Sequence, residues 1–380
     1  MIQFKEKDHS VLLLKYICLC GEFPYRSLFL IPAQTLTLQR TVLKMKKEKY
    51  ITVLGHGDEK TIRLTKKSFP IVEKYFPQLL DYYMSITDNH HFRGGSSNGN
   101  DIGKRLTWRK HRMAEALCMF ALVETELLPF EKNTLHKTNF VQETIFSEER
   151  AFYSSVEIKN VDPEQKYKTD FTRMLGVYFS PGGFYCVYNT NKRLMKWNRQ
   201  GELKAKLLVE DIVTSNYEPC LSKFVRADKA ILFGENYDIL ERILSVNNTS
   251  ENNFEFLSFD NVYKDIYYVP LTMDGIKQLE IMSNSDWADT IRMAILGTAE
   301  KRIYNVDCDK FENNKYTLLF LDCNIGRLNR FKQAKDINNK SKFEIICFPE
   351  QVDFIKNFFK NEIQISTVPI DSVLSIFQER

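Results

Sequence analysis

The chain has no apolar run approaching the roughly 18 residues of a membrane-spanning helix, so no such helix is expected. It has no CxxC pair. Its eight cysteines (Cys18, Cys20, Cys118, Cys186, Cys220, Cys308, Cys323 and Cys347) are scattered. Cys18-Leu19-Cys20 is too tight for ordinary disulfide or zinc-ligand spacing and falls in an apolar helical run. Reduced, buried cysteines in a cytoplasmic protein are the expectation. The opening Met1-Ile2-Gln3-Phe4-Lys5-Glu6-Lys7-Asp8 lacks the apolar core and cleavage site of a signal peptide. There is no GxxxxGK(S/T) loop for nucleoside triphosphates and no GxGxxG after a strand. Pro181-Gly182-Gly183 is better explained by hairpin geometry than by phosphate cradling. The six histidines (His9, His56, His90, His91, His111 and His136) form no HxH or HxxxH cluster. The adjacent His90-His91 stands in a polar, Gly-rich loop without cysteine or carboxylate clusters and reads as exposed, so no metal site is expected.

What is present is ordinary in bulk. At 380 residues, two or three domains are expected, and 28 Phe with 18 Tyr argue for packed cores over disorder. Lys and Arg exceed Asp and Glu by 53 to 49, a net charge of +4. That excess is mild, so where the charge sits matters more than its sum.

It sits first in residues 12–65. An apolar helical run ends at Gly21, residues 24–31 form a second short helix, and residues 35–49 form a third, basic one. Tyr50-Ile51-Thr52-Val53-Leu54, the turn Gly55-His56-Gly57-Asp58, and Thr61-Ile62-Arg63-Leu64 then read as strand, tight turn, strand. That order predicts a winged helix-turn-helix, whose third helix lies in the DNA major groove. Leu38, Val42 and Met45 recur at helical spacing and seat this helix. Thr37, Gln39, Arg40, Thr41 and Lys44 fall outward and are types that hydrogen-bond base edges or phosphates. Lys46, Lys47 and Lys49 crowd the C-terminus, where cations suit the helix dipole. His56 and Lys60 near the hairpin tip and Arg63 on the return strand are placed to reach backbone or minor groove. The competing reading is a solvated basic face on a protein-interaction winged helix. Residues 69–76 and 77–86 read as helices completing the module.

The expected domains are a winged helix over 1–87, a flexible linker over 88–103, a basic helical connecting segment over 104–150, and an α/β domain over 151–380. In the connecting segment, residues 102–126 make a helix with an apolar stripe of Leu106, Met113, Leu117, Phe120 and Ala121. Lys104, Arg105, Arg109, Lys110 and Arg112, with His111, make its first half basic. That fits a second nucleic-acid surface or a plain solvated face about equally. Beyond residue 140, short apolar strands alternate with helices, and strands near the start are joined by turns. The pattern predicts a mixed sheet covered on both faces, restriction-endonuclease-like being one form it takes. The fold class as a whole reads as a multidomain α+β and α/β protein.

Three stretches carry a family resemblance: residues 12–64; Trp108-Arg109-Lys110-His111-Arg112 within 105–116; and Leu175-Gly176-Val177-Tyr178-Phe179-Ser180-Pro181-Gly182-Gly183-Phe184-Tyr185 within 174–190, closed by Met195-Lys196-Trp197. The chain resembles the replication-relaxation family of mobilisation accessory proteins found on plasmids and conjugative elements of Gram-positive bacteria, best over residues 10–215. The resemblance implies a protein that binds double-stranded DNA and helps a relaxase process an origin of transfer, or helps a plasmid replicate. A relaxase itself needs a nucleophilic tyrosine and a histidine triad, and the histidine spacing speaks against that role here. A homodimer fits the habit of winged helices to bind two half-sites.

An enzymatic alternative rests on Glu157-Ile158-Lys159, expected on a strand. In PD-(D/E)xK nucleases such a triplet supplies a metal-binding carboxylate and a water-positioning lysine. Mg²⁺ is shared with a second acid, for which Glu143, Glu148, Glu149 and Asp170 are candidates. No Pro-Asp precedes Glu157 at a suitable distance, and such triplets arise by chance in so charged a chain. Outside this alternative no cofactor is implied. Asp307-Cys308-Asp309 and Asp322-Cys323-Asn324 stand at strand or turn ends, where Asp and Asn hydrogen-bond locally. A ligand-responsive transcriptional regulator is a third reading, without a ligand signature.

Overall fold

A computed structural model describes residues 4–88, 101–133, 135, 149–161, 172–195, 198–216, 226–245, 262–297, 306–338 and 340–378. The protein is mixed α and β. It divides into two units, Met1–Glu131 and Lys132–Arg380. No helix among the described residues is long and apolar enough to cross a membrane.

The first unit is built around α1 (His9–Cys20). Val11, Leu13, Leu14, Tyr16, Ile17, Cys18 and Leu19 are all buried, so the helix is apolar nearly all round and serves as the hub. Gly21, at φ 71°, ends it. A two-residue strand β1 (Phe23–Pro24) and a 3-10 turn (Tyr25–Leu30) lead to α2 (Thr35–Lys47). Leu38, Val42 and Met45 seat α2 on α1. The hairpin follows as β2 (Ile51–Leu54) and β3 (Thr61–Leu64), and β1 completes an antiparallel sheet in the order β1-β3-β2. Ile51 pairs with Leu64 and Val53 with Ile62, which turns the buried Ile51, Ile62 and Leu64 inward. Gly55 (φ 78°) is demanded by the turn, since a Cβ there would lie 2.5 Å from the Glu59 carbonyl oxygen. The helices α3 (Phe69–Tyr75) and α4 (Pro77–Asp88) pack back on α1, and so does α5 (Asp101–Ala121). Of the linker expected over 88–103, residues 89–100 lie outside the described residues, His90 and His91 with them, while residue 88 ends α4 and residues 101–103 are already helical in α5.

The second unit holds two sheets. The first runs β4 (Ala151–Ser154), α6 (Ser155–Asn160), β5 (Gly176–Ser180), β6 (Gly183–Asn191), α7 (Arg199–Asn216), β7 (Lys229–Gly234), α8 (Tyr237–Ser245) and β8 (Asp265–Pro270). The strands lie in sequence order, antiparallel from β4 to β6 and parallel from β6 to β8. After α9 (Met273–Met282) and α10 (Trp287–Leu296) come β9 (Lys310–Glu312), β10 (Lys315–Leu319), α11 (Ile325–Ile337), β11 (Lys342–Cys347), α12 (Val352–Phe358), β12 (Gln364–Thr367) and α13 (Ile370–Gln378). They form the second sheet, in the order β12-β11-β10-β9, parallel except for β9. The two sheets join edge to loop: Tyr268 N donates to Cys323 O at 2.9 Å, beside a bridge between Tyr267 and Asn324. The mixed sheet expected from the sequence is thus two mixed sheets. Lys196 and Trp197, which close the third stretch of the family resemblance, lie outside the described residues.

One element is the reverse of its expectation. Residues 155–159, read as a strand, form the helix α6, and the strand is the preceding Ala151–Ser154. The physical reason is a capping box. Ser154 Oγ accepts from Glu157 N at 3.3 Å, and the Glu157 carboxylate accepts from Ser154 N at 2.7 Å.

Candidate functional site

The strongest concentration of unpartnered positive charge among the described residues of the first unit is on α2. Its sequence carries Arg40, Lys44, Lys46 and Lys47 and no acid. All four cations are exposed. Ion pairs of the unit include those of Arg26, Arg63 and Lys110, and none among the described residues involves an α2 cation. Thr37 donates to Gln34 Oε1 at 3.1 Å, and Thr41 donates back to Thr37 O at 2.9 Å, so both hydroxyl donors are occupied while their lone pairs remain. Gln39 is half-buried on the opposite flank. A helix advances 100° per residue, so the line diametrically opposite Leu38, Val42 and Met45 is Leu36, Arg40, Leu43 and Lys47. Leu36 and Leu43 are 60% and 64% exposed, against 0–1% for the seating residues. The sequence reading missed these two leucines, though their angular position opposite the apolar stripe was legible.

The hairpin contributes less charge than expected. His56 and Lys60 are exposed at its tip, but Asp58 and Glu59 occupy the same turn. Lys60 also lies 5.7 Å from the Tyr25 ring. Arg63 does not reach outward. Its guanidinium is held by the buried carboxylate of Glu22, which also takes Lys110 Nζ at 2.7 Å. Two cations assigned to a nucleic-acid surface are therefore the counterions of one buried acid. Glu115, also buried, accepts from Ser27 Oγ at 2.7 Å and Arg26 at 3.0 Å, and Arg26 covers Trp108 at 4.7 Å. The basic stretch of α5 is accordingly split. Lys110 and the fully buried His111 face the module, Arg109 is exposed and Arg112 is half-buried. The side chains of Lys104 and Arg105 lie outside the described ones.

The Glu157 and Lys159 pair does not form the expected constellation. Both Glu157 oxygens are used locally: one caps α6, and the other accepts from Lys132 Nζ at 2.6 Å. Lys132 is itself buried and also donates to Phe152 O at 2.8 Å. On a helix, residues two apart point about 200° from each other, so Glu157 and Lys159 do not share a face as they would on a strand. Of the proposed partner acids, Glu149 is exposed, and Glu143, Glu148 and Asp170 lie outside the described residues.

The second unit has a cleft of about 610 Å³ where the starts of β7 and β8 meet the first turn of α10, residues 307–309 and the first turn of α11. The two acidic triplets converge there on one guanidinium. Arg327 donates to Asp322 at 2.9 Å, Asp309 at 2.8 Å and Asp307 at 3.2 Å. Asp309 also accepts from Arg292 Nε at 3.3 Å and Leu319 N at 2.8 Å. Burial pushes the Asp322 carboxyl up while Arg327 pulls the other way. The local role expected for these residues is present too, because Asn324 caps α11 and its own N–H reaches Asp322 at 2.9 Å. The lattice satisfies most of its charges internally, so its first chemical consequence is to lock β10 to α11. Among the described residues, no group of three or more His, Cys, Asp or Glu side chains is placed to hold a metal ion.

No protein-family model, curated protein or solved structure matches the chain.

Proposed function

We propose that this protein binds duplex DNA through the first unit, as an accessory factor in mobilisation or replication of a plasmid or conjugative element. In this reading α1, the 3-10 turn and α2 are a helix-turn-helix, β2 and β3 are its wing, and α2 enters the major groove. The observation that carries the reading is the α2 face: four exposed cations, no acid on the helix, and no internal partner among the described residues. Such a face carries a standing demand for anions, and a DNA backbone offers them at regular spacing. Thr37, Gln39 and Thr41 flank it with groups that suit base edges or phosphates. The second unit would dock the partner, a relaxase in the accessory reading, and a homodimer would place two α2 helices on two half-sites.

The test is filter binding of the full chain to duplex DNA over a salt series. Each phosphate contact contributes about −0.9 to the slope of log K against log salt. Arg40→Ala and Lys44→Ala are expected to weaken binding and to flatten that slope by about one each. Wild-type affinity for both variants would remove α2 from the interface.

A further inference from the structure

The two leucines of α2 say what kind of sequence the helix reads. Scattered exposed apolar side chains are normal on protein surfaces. Leu36 and Leu43 are different in position: they lie at the crest of the helix, farthest from its buried stripe, at 60% and 64% exposure. Arg40 stands between them on the same line, and Lys44, Lys46 and Lys47 surround the lower half. A helix that met only phosphates would gain nothing from leucine at its crest.

Resting on the DNA-binding reading, we propose that Leu36 and Leu43 contact the C5-methyl groups of two thymines in the major groove, with Arg40 on a guanine in the interval. The thymine methyl is the only apolar feature that the major-groove edges of the bases present, and arginine on guanine O6 and N7 is the commonest specific contact. Seven residues at 1.5 Å each separate the leucines by about 10.5 Å along the axis, or about three base-pair steps at 3.4 Å. The expected site therefore holds thymines about three base pairs apart, flanking or overlapping a G·C pair.

A protein partner fits the same face less well. The leucines are about two helical turns apart with a guanidinium between them, so they do not join into the contiguous patch that protein docking uses. The surrounding cations, with no acid on the helix, ask for a polyanion.

The experiment begins by selecting bound sequences from a random duplex library with the full chain. Thymines of the selected site are then replaced one at a time by uracil, which differs only by lacking the methyl. For the wild type, two replacements about three base pairs apart should each weaken binding about three- to ten-fold. Leu36→Ala should abolish the response at one of these positions and Leu43→Ala at the other. Both variants should keep the wild-type salt slope and thermal midpoint. Tight, salt-dependent binding that ignores uracil overturns the leucine inference and leaves DNA binding standing. Failure to retain any duplex at low salt overturns both. Concentration-dependent self-association lost in Leu36→Ala and Leu43→Ala would assign the crest to a second protein copy, and the inference fails.

Discussion

Acid should loosen the first unit through His111. This residue has no accessible surface, and neither ring nitrogen has a hydrogen-bond partner among the described residues. It sits edge-on to Trp108, 6.1 Å between ring centroids. Burial, helped by the nearby Arg26, lowers its pKa from 6.5 to about 4. A histidine whose folded pKa is depressed stabilises the fold only while neutral. Its contribution is complete above pH 6.5 and is lost as pH falls toward 4. The gap of about 2.5 pH units, at about 1.36 kcal/mol each, amounts to about 3 kcal/mol, a large share of the roughly 5–15 kcal/mol that holds a domain. The perturbation is His111→Leu, which fills the site without a titrating group. The assay is hydrogen exchange on peptides from α5, corrected for the intrinsic rate at each pH, from pH 7 to pH 4. The wild type should lose about 3 kcal/mol of opening free energy across that window. The variant should lose much less across the same window. Equal losses in the two proteins would refute the account, because the acid response would then not come from the buried neutral imidazole.

Two further outcomes follow from the ion-pair geometry. Glu22→Gln removes the shared counterion of Arg63 and Lys110, both about one-third exposed and able to turn to water. The expected cost is about 2 kcal/mol by urea denaturation, below the roughly 3–5 kcal/mol of a fully buried broken pair. The freed cations should raise low-salt DNA affinity, and an unchanged affinity would place them away from the backbone. Arg327→Met leaves Asp307, Asp309 and Asp322 facing one another without their common guanidinium. About 3–5 kcal/mol of destabilisation is expected in the second unit at pH 7. Without Arg327 to oppose burial, the Asp322 carboxyl rises further above its unfolded value, so the variant's deficit should shrink as pH falls through the carboxylate range and grow as it rises. A deficit independent of pH would mean that lost packing, not repulsion, is the cause.

Local chemistry was legible in the sequence wherever one element satisfies itself. The spacing of Leu38, Val42 and Met45 located the buried stripe of α2, because helical period and burial are the same fact seen twice. Gly55 marked the hairpin turn, because at φ 78° a Cβ there would strike the Glu59 carbonyl oxygen. The capping box of Ser154 and Glu157 is written in the sequence as Ser-x-x-Glu, and it outweighs the strand pattern of Glu157-Ile158-Lys159, so the strand ends at Ser154.

Tertiary structure decided which charges are surface and which are structure. Nothing near Arg63 or Lys110 in sequence says that both close on Glu22, 41 and 88 residues away. Nothing near Asp307 or Asp322 says that Arg327 gathers them. A charged residue looks the same in sequence whether it meets water, DNA or a buried partner. Only the fold brings the partner in, and burial makes it matter by removing the water that would otherwise compete. The sequence by itself determined the helices and the hairpin of the first unit, the basic helix α2 among them. The tertiary structure determined that α2 keeps its cations and two crest leucines facing outward, while Arg63 and Lys110 are turned onto the buried Glu22.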